Sequence, residues 1–420
     1  MRLNGQDIVC DPEGGAMLLT YGSILGDQTL IKGVQKLMPG HSLVWTPAGV
    51  VAQEREPLGS LKRDVDNVED AAELLDSAFN DSVEQMCIAN EHANCEQHNL
   101  LSGGLDSRLV ALATSKHAHG GTLSALCFSA ADSLDASISK SVAQDHSWGY
   151  RHHDLANGAY MVDFSSVFHY DGCINCLASA HHYEALTAWK LNNVGLLASG
   201  QGGEFFTDHQ HWHFDGEAAL KSLELYSGVR DLAMNAGLRA WRENPDIQRF
   251  KVINRGFIYT NSAAYSTVDF GVLWSPIVSS RMVKAALRLD KTLLRNQKAY
   301  LFWIEKTFPQ AQHHVWERYK TKPIAGFRLR LFQTWCIWQA RLRRVFGVRV
   351  KGGMSPIDHW LQTNKEVKRC FDETFEGLKH WLEHYPELKR EVERDYPSMN
   401  ATNKASVLTL LKATERYLSS

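Results

Sequence analysis

The sequence predicts an α/β fold with a doubly wound parallel sheet, a small β-rich N-terminal part and a helical C-terminal part. Between about residues 98 and 155, strand-like and helix-like segments alternate. Such alternation is typical of βαβ units, which build a parallel sheet with helices on both faces. The apolar run VGLLASG at 194–200 predicts another strand of this sheet. After about residue 217 the pattern becomes mostly helical.

The elements before the sheet are predicted from local patterns. Residues 15–55 contain three short β-like runs, MLLTYGSI, HSLVW and GVVAQ, divided by the turn Met38-Pro39-Gly40-His41. Residues 67–92 carry apolar side chains at helical spacing, which predicts a long helix.

The first three strands of the sheet and the two helices between them are predicted from five segments. The strand-like segments are NLLS, TLSALCFS and YRHHDL, and the helix-like segments between them are SRLVALATSKHA and ASISKSVAQDHS.

Composition and charge exclude several classes of protein. With 45 Lys+Arg against 47 Asp+Glu, the net charge is -2, so no global field attracts nucleic acid or an anionic membrane. The N-terminus lacks a signal-peptide pattern, and no run of about 18 uninterrupted apolar residues occurs. We therefore expect a cytoplasmic protein for which nucleic acid is an unlikely general partner.

The segment SGGLDS at 102–107 carries the strongest chemical signal. It places two glycines between a predicted strand and a predicted helix, where uncovered N–H groups and the helix dipole favour an anion. Asp106 would repel a phosphate there unless a cation lay between them, which implies Mg²⁺. The alternative is a purely structural glycine turn, in which Asp106 and Ser107 cap the helix.

SGGLDS resembles the pyrophosphate loop of the ATP-pyrophosphatase superfamily, whose members split ATP between its α and β phosphates. Four further segments are similar to the asparagine synthetase family and follow its order over about residues 15–325: YGSILGDQTLIKGVQKLMPGHSLVW, ADSLDASISKSVAQDHSWGYRHHDL, SGQGGEF and ERYKTKP. The resemblance implies an adenine-nucleotide α-hydrolase-like (PP-loop) fold. It divides the chain into a glutaminase-like remnant at 1–60, a synthetase-like domain at 61–325 and a helical region at 326–420.

The resemblance also implies roles for individual residues. ATP would be bound by the first loop and its surroundings: Leu100, Ser102, Gly103, Gly104, Leu105, Asp106, Ser107, Phe128 and Gly200. Asp106 and Glu204 would hold Mg²⁺. The catalytic positions would be Asp135, Gln201 and a lysine, for which Lys320 and Lys322 are rival candidates; the alternative for either lysine is a solvated loop charge. The lysine would stabilise negative charge as the adenylate leaves.

Three departures from the family pattern limit this inference. The family's glutaminase uses an N-terminal cysteine, whereas position 2 is Arg2 and Cys10 is not terminal. Gln201 stands where asparagine-forming members have a glutamate, and an amide cannot accept a proton at neutral pH. Glu204 replaces the usual aspartate. Glutamine hydrolysis by this chain, and aspartate as its substrate, are therefore not expected.

The expected activity is ATP-dependent amide formation that releases AMP and pyrophosphate. The carboxylate would belong to a sugar, a small acid or a peptide, and the nitrogen would come from ammonia, an amine or a separate glutaminase. A homodimer also fits. Two other hypotheses are a tRNA-modifying PP-loop enzyme, since such enzymes share the loop, and a catalytically retired synthetase-like subunit.

Three other groups of residues suggest sites outside this scheme. Cys173 and Cys176 with His181 and His182 could bind zinc, although ordinary packing explains them as well. The alternating histidines His209, His211 and His213 suggest a metal site or a substrate contact, with a solvated loop as the favoured alternative. Residues 327–351 combine arginine with aromatic side chains; we expect a docking helix that buries its aromatic side chains, with membrane-surface contact or RNA binding as alternatives.

Overall fold

A computed structural model gives the fold for residues 2–3, 6–55, 58–117, 123–162, 164, 172–178, 180–191, 193–206, 214–346 and 353–419. Nine strands are described: β1 Arg2–Leu3, β2 Gln6–Asp7, β3 His41–Thr46, β4 Gly49–Glu54, β5 Glu96–Leu100, β6 Ser124–Ser129, β7 Gly149–Asp154, β8 Val194–Ala198 and β9 Val272–Trp274.

Sixteen α-helices are described in the same residues: α1 Pro12–Tyr21, α2 Val68–His92, α3 Leu105–Ser115, α4 Leu134–Asp145, α5 Ala180–Trp189, α6 Gly216–Lys221, α7 Arg230–Glu243, α8 Ile247–Lys251, α9 Ser280–Arg288, α10 Lys291–Leu294, α11 Lys298–Thr307, α12 Phe327–Phe346, α13 Ile357–Thr363, α14 Lys365–Leu378, α15 Pro386–Asp395 and α16 Ala401–Ser419. A π-helical segment, Val252–Asn261, follows α8 directly.

The central sheet has five parallel strands in the order β7-β6-β5-β8-β9. Neighbouring residues of β6 show that helices cover both of its faces, because successive side chains of a strand point to opposite sides. Ala125 packs in a cluster with side chains of α3 and α4, whereas Leu126 packs with side chains of α5. The predicted α/β class with a parallel sheet is confirmed.

The predicted elements of the sheet region are found close to their expected places. β5, β6, β7 and β8 and the helices α2, α3 and α4 all form where the patterns predict them. The fifth strand, Val272–Trp274, was not predicted, because three residues within a helical region give no periodic signal. It pairs with β8 at the edge of the sheet.

The prediction for the N-terminal part is wrong in one element. Residues 17–21 of the β-like run MLLTYGSI belong to the helix α1 instead. Asp11 caps this helix, Pro12 begins it and Gly22, with φ 74°, ends it. Its residues 14–21 are all buried, so it lacks the polar face that would mark a helix in the sequence. The runs HSLVW and GVVAQ do form the antiparallel hairpin of β3 and β4, after a turn at Met38–His41.

The C-terminal helices share a hydrophobic core with the N-terminal helix. One cluster of buried side chains joins α1 and α7 to α13, α14, α15 and α16. A second cluster joins α2, α3, α9 and α11 behind the loop that follows β5. Within the described residues, no helix is both long enough and apolar enough to cross a membrane.

Candidate functional site

The two glycine loops meet at the point where the order of the sheet reverses. From β5 the chain crosses to β6 on one side, whereas β8 is followed by β9 on the other side. Open α/β sheets bind ligands in the crevice at the carboxyl ends of the two strands flanking such a reversal. The segment 102–107 follows β5 and the segment 199–204 follows β8, so both loops border this crevice.

A cavity of about 230 Å³ lies between the two loops. The residues around it include most of those predicted to bind ATP, together with Gln201: Leu100, Ser102, Gly104, Asp106, Ser107, Phe128 and Gly200. Gly103 and Leu105 are exceptions. Leu105 is fully buried in the cluster between α2, α3 and α11, so its side chain belongs to the core and not to the cavity.

Side chains hold the first loop in its shape. The N–H of Ser102 donates to Ser107 Oγ at 3.1 Å, and the N–H of Gly104 donates to Ser102 Oγ at 3.1 Å. Gly104 is also the N-cap residue of α3, and no side chain caps this helix. In contrast, polar side chains cap α1, α2 and α4. The positive end of α3 is therefore directed at the cavity with no side-chain cap on its N–H groups, and Asp106 is the acidic side chain in its first turn.

The second loop can approach the first only because it contains glycines. A Cβ at Gly200 would lie 2.2 Å from the backbone nitrogen of Ser107, and a Cβ at Gly203 would lie 2.1 Å from Asp106 Oδ2. Both distances are far inside van der Waals contact. Any other residue at position 200 would push the two backbones apart, and any other residue at position 203 would displace the Asp106 carboxylate.

Asp106 is held by a tyrosine that the sequence did not reveal. Its Oδ1 accepts a hydrogen bond from the hydroxyl of Tyr300, in α11. Burial, reinforced by the charge of Asp106, raises the pKa of Tyr300 well above its usual value, so this hydroxyl keeps its proton and remains a donor. The Tyr300 ring stacks on Phe206 of the second loop at a centroid distance of 5.3 Å. The backbone of Glu204 lies in this loop, but its side chain is outside what the structure describes.

Asp135 anchors the loop from behind. It lies in the first turn of α4, which begins two residues before the helix-like segment ASISKSVAQDHS, and its Oδ1 accepts the N–H of Gly103 at 2.9 Å. Burial raises the pKa of Asp135, while this hydrogen bond from Gly103 opposes the rise. Because Asp135 is buried and does not border the cavity, its geometry fits a positioning residue better than a catalytic residue.

Arg108 links the first loop to the segment that carries the two candidate lysines. Its guanidinium is fully buried and donates to the carbonyl oxygens of Gly103, Ala311, His314 and Val315. Burial lowers the pKa of Arg108 to about 10, so it remains charged at neutral pH. A buried cation thus lies directly behind the glycine turn, where it adds to the positive potential of α3.

The lysine segment folds into a tight turn that contacts the first loop. Trp316 and Thr321 form an isolated antiparallel β-bridge, and the N–H of Glu317 donates to the Gly103 carbonyl at 3.2 Å. Lys320 has the left-handed backbone conformation, φ 53°, which costs a non-glycine residue about 1 kcal/mol. The pKa of Glu317 is raised, first by burial and then by the charge of Asp135, while the charge of Lys320 opposes the rise.

This contact distinguishes the two lysines only in part. The charge of Lys320 acts to lower the pKa of Glu317, whose N–H donates to the Gly103 carbonyl in the glycine turn. This proximity favours Lys320 over Lys322. Both lysine side chains are exposed, however, and neither borders the cavity.

The residues of the zinc hypothesis do not form a metal site. Among the described residues, no group of three or more His, Cys, Asp or Glu side chains could hold a metal ion. Cys176 packs against α16, with its Sγ 3.8 Å from the Ala405 carbonyl. His181 and His182 point instead toward Phe128 and border the cavity. The predicted histidine cluster at 209, 211 and 213 lies outside the described residues.

The two buried histidines give the cavity a neutral wall. Burial lowers the pKa of His181 to about 4, and burial together with His181 holds the pKa of His182 well below its usual value. Nδ1 of His182 is buried without a hydrogen-bond partner in the structure. Together with Phe128, Leu100 and Leu126, these rings supply the apolar and aromatic part of the cavity lining, and the start of α3 supplies a polar part.

No family model matches this sequence, and no curated protein matches it either.

Proposed function

We propose that this chain is an ATP-dependent amide-forming ligase that adenylates a carboxylate and transfers it to ammonia or an amine. The carboxylate attacks the α phosphorus of ATP, which forms an acyl-adenylate and releases pyrophosphate. The amine nitrogen then attacks the acyl carbon, loses a proton and displaces AMP. The proposal extends the resemblance of the loops to the asparagine synthetase family.

One observation carries the proposal: two glycine loops meet at the switch point of a parallel sheet, over the uncapped positive end of α3. This arrangement suits a polyphosphate, since the helix terminus and buried Arg108 both favour negative charge. The neutral aromatic wall of Phe128, His181 and His182 suits the adenine base, which stacks on aromatic rings. The cavity lining thus offers favourable contacts both to the phosphates and to the base of ATP, which supports the proposal.

The residues present also fit a magnesium ion. Mg²⁺ is commonly held in nucleotide sites by one or two carboxylates together with phosphate oxygens. Asp106 supplies a carboxylate at the cavity, and the hydrogen bond from Tyr300 fixes its orientation. When bound, the ion would neutralise charge on the phosphates. Glu204 remains the second predicted ligand.

A catalytically retired subunit is the second candidate, and two observations favour it. Gln201 lies at the cavity, where it can bind a ligand but cannot accept a proton at neutral pH. Neither Lys320 nor Lys322 borders the cavity. Both candidates predict binding of Mg·ATP, so release of AMP is the result that separates them.

The first experiment measures pyrophosphate and AMP release by the purified chain with Mg·ATP. Pools of sugar carboxylates, small organic acids and peptides are tested with and without ammonium chloride. Release that requires one pool and rises with ammonium supports the ligase. Tight ATP binding without release from any pool supports the retired subunit. Release that requires tRNA instead would favour the tRNA-modifying alternative.

Variants of the two lysines test the assignment of the catalytic charge. Lys320→Ala should lower kcat by about 100-fold while leaving the Kd for ATP nearly unchanged, because the charge would act only in the transition state. Lys322→Ala is the matched control, since it removes the same charge two residues away. The opposite pattern would assign the role to Lys322. Asp106→Ala should abolish turnover, and full activity in that variant would refute the phosphate and metal assignment.

A further inference from the structure

Helix α12 presents an apolar face to solvent. The side chains of Trp335 and Trp338 are 60% and 57% exposed, and Leu331 and Phe332 are exposed beside them. Leu331, Trp335 and Trp338 are spaced by four and three residues, so they lie on one face of the helix. The prediction that this helix buries its aromatic side chains is therefore wrong for Phe332, Trp335 and Trp338.

The opposite face of α12 attaches the helix to the protein. Leu329 is 3% exposed and packs in the cluster that contains the side chains of α11. Cys336 lies seven residues later, on the same face, and its Sγ is 3.9 Å from the Arg318 carbonyl. The exposed face thus points away from the protein body, and the described residues of this chain leave it uncovered.

The region around this helix carries a strong positive charge. Residues 318–357 contain ten Lys+Arg and no Asp or Glu, whereas the remaining chain has 35 Lys+Arg against 47 Asp+Glu. An anionic surface attracts a basic segment and repels the acidic remainder of the chain, so this charge distribution orients the molecule with the basic segment toward that surface. The exposed aromatic face and the positive charge of this region therefore favour the same kind of partner, an anionic surface.

We propose that α12 lies on the surface of an anionic lipid bilayer, with Trp335 and Trp338 at the level of the headgroups. Tryptophan rings favour this level because they are amphipathic. Interfacial helices place such side chains on one face and carry Lys and Arg elsewhere. Each Lys or Arg near an anionic leaflet contributes about 1 kcal/mol of attraction. This inference does not depend on the proposed ligase activity.

The test is flotation of the full chain with vesicles of phosphatidylcholine alone or with about 30% phosphatidylglycerol, a composition chosen to give a negative surface potential. We expect the chain to float with the anionic vesicles at low salt and to be released as salt increases. The double variant Trp335→Ser with Trp338→Ser should bind at least about tenfold more weakly, because less apolar area enters the interface.

A second exposed tryptophan provides the matched control. Trp45, on the β3–β4 hairpin, is 85% exposed, so Trp45→Ser removes a similar surface elsewhere and should leave flotation unchanged. Both variants are compared with the native chain by thermal unfolding, where we expect no change. Failure of the native chain to float with anionic vesicles would overturn the proposal. So would equal loss in the Trp45 variant, capture by RNA without vesicle binding, or self-association that depends on Trp335 and Trp338.

Discussion

Substitution of Gly200 by alanine tests whether the close approach of the two loops creates the site. The new Cβ would lie 2.2 Å from the backbone nitrogen of Ser107 and 2.6 Å from the Asp106 carbonyl carbon. Ordinary carbon contacts begin at about 3.5 Å, so the loops must separate by roughly 1 Å. No side-chain rotation can relieve this overlap, since the neighbours are backbone atoms.

A displacement of this size has a large expected effect on turnover. Misplacement of reacting groups by about 1 Å costs about 100-fold in rate, or about 2.7 kcal/mol. The overpacking should also lower the free energy of unfolding by about 1–3 kcal/mol. We therefore expect Gly200→Ala to reduce kcat/KM for ATP about 100-fold while the chain remains folded. The assay is release of AMP with the carboxylate pool that supports it, with ATP affinity measured by calorimetry.

Two further variants make the result interpretable. Gly377→Ala introduces the same methyl group in α14, where nothing lies within 4 Å of the new Cβ, and should leave activity unchanged. Gly203→Ala would overlap only the Asp106 carboxylate, so it tests the carboxylate position without forcing the backbones apart. A Gly200→Ala enzyme with native activity and native ATP affinity would refute the reasoning about the loops.

Three other predictions concern Asp135 and Tyr300, which hold the first loop, and His181, which borders the cavity. Asp135→Asn keeps an acceptor for the Gly103 N–H and should retain activity within about threefold, whereas Asp135→Ala should lose about tenfold or more; equal loss in both variants would show that the charge itself is needed. Tyr300→Phe removes a hydrogen bond to a charged acceptor, so urea denaturation should show a loss of about 2 kcal/mol in the free energy of unfolding. An unchanged midpoint would contradict that contact. The pKa of His181 is about 4 in the folded chain, whereas its ordinary value is 6.5. Between these two pH values the unfolded chain therefore binds a proton at His181 that the folded chain does not. This difference should lower the free energy of unfolding by up to about 3 kcal/mol as pH drops from 6.5 to 4. His181→Leu should make the profile shallower in thermal unfolding, while His182, whose pKa is also lowered, keeps part of the pH dependence.

Local patterns were sufficient for the strands and helices around the site. The turn 102–104 follows β5 as expected, because glycines and a following helical pattern are short-range signals. The same local logic failed at α1, where a helix buried on nearly all sides has no polar stripe. It also missed β9, whose three residues acquire strand geometry from pairing with β8 and not from their own pattern.

The sequence by itself determined the chemistry of the two loops: glycines where backbones must approach, and a carboxylate beside a helix start. It could not determine which distant groups hold that carboxylate, since Tyr300 reaches Asp106 across 194 residues of chain. The same is true of Arg108, which binds carbonyl oxygens about 200 residues away, and of the exposed face of α12. Periodicity shows that a helix has an apolar face, but only the packing of its neighbours decides whether that face is covered.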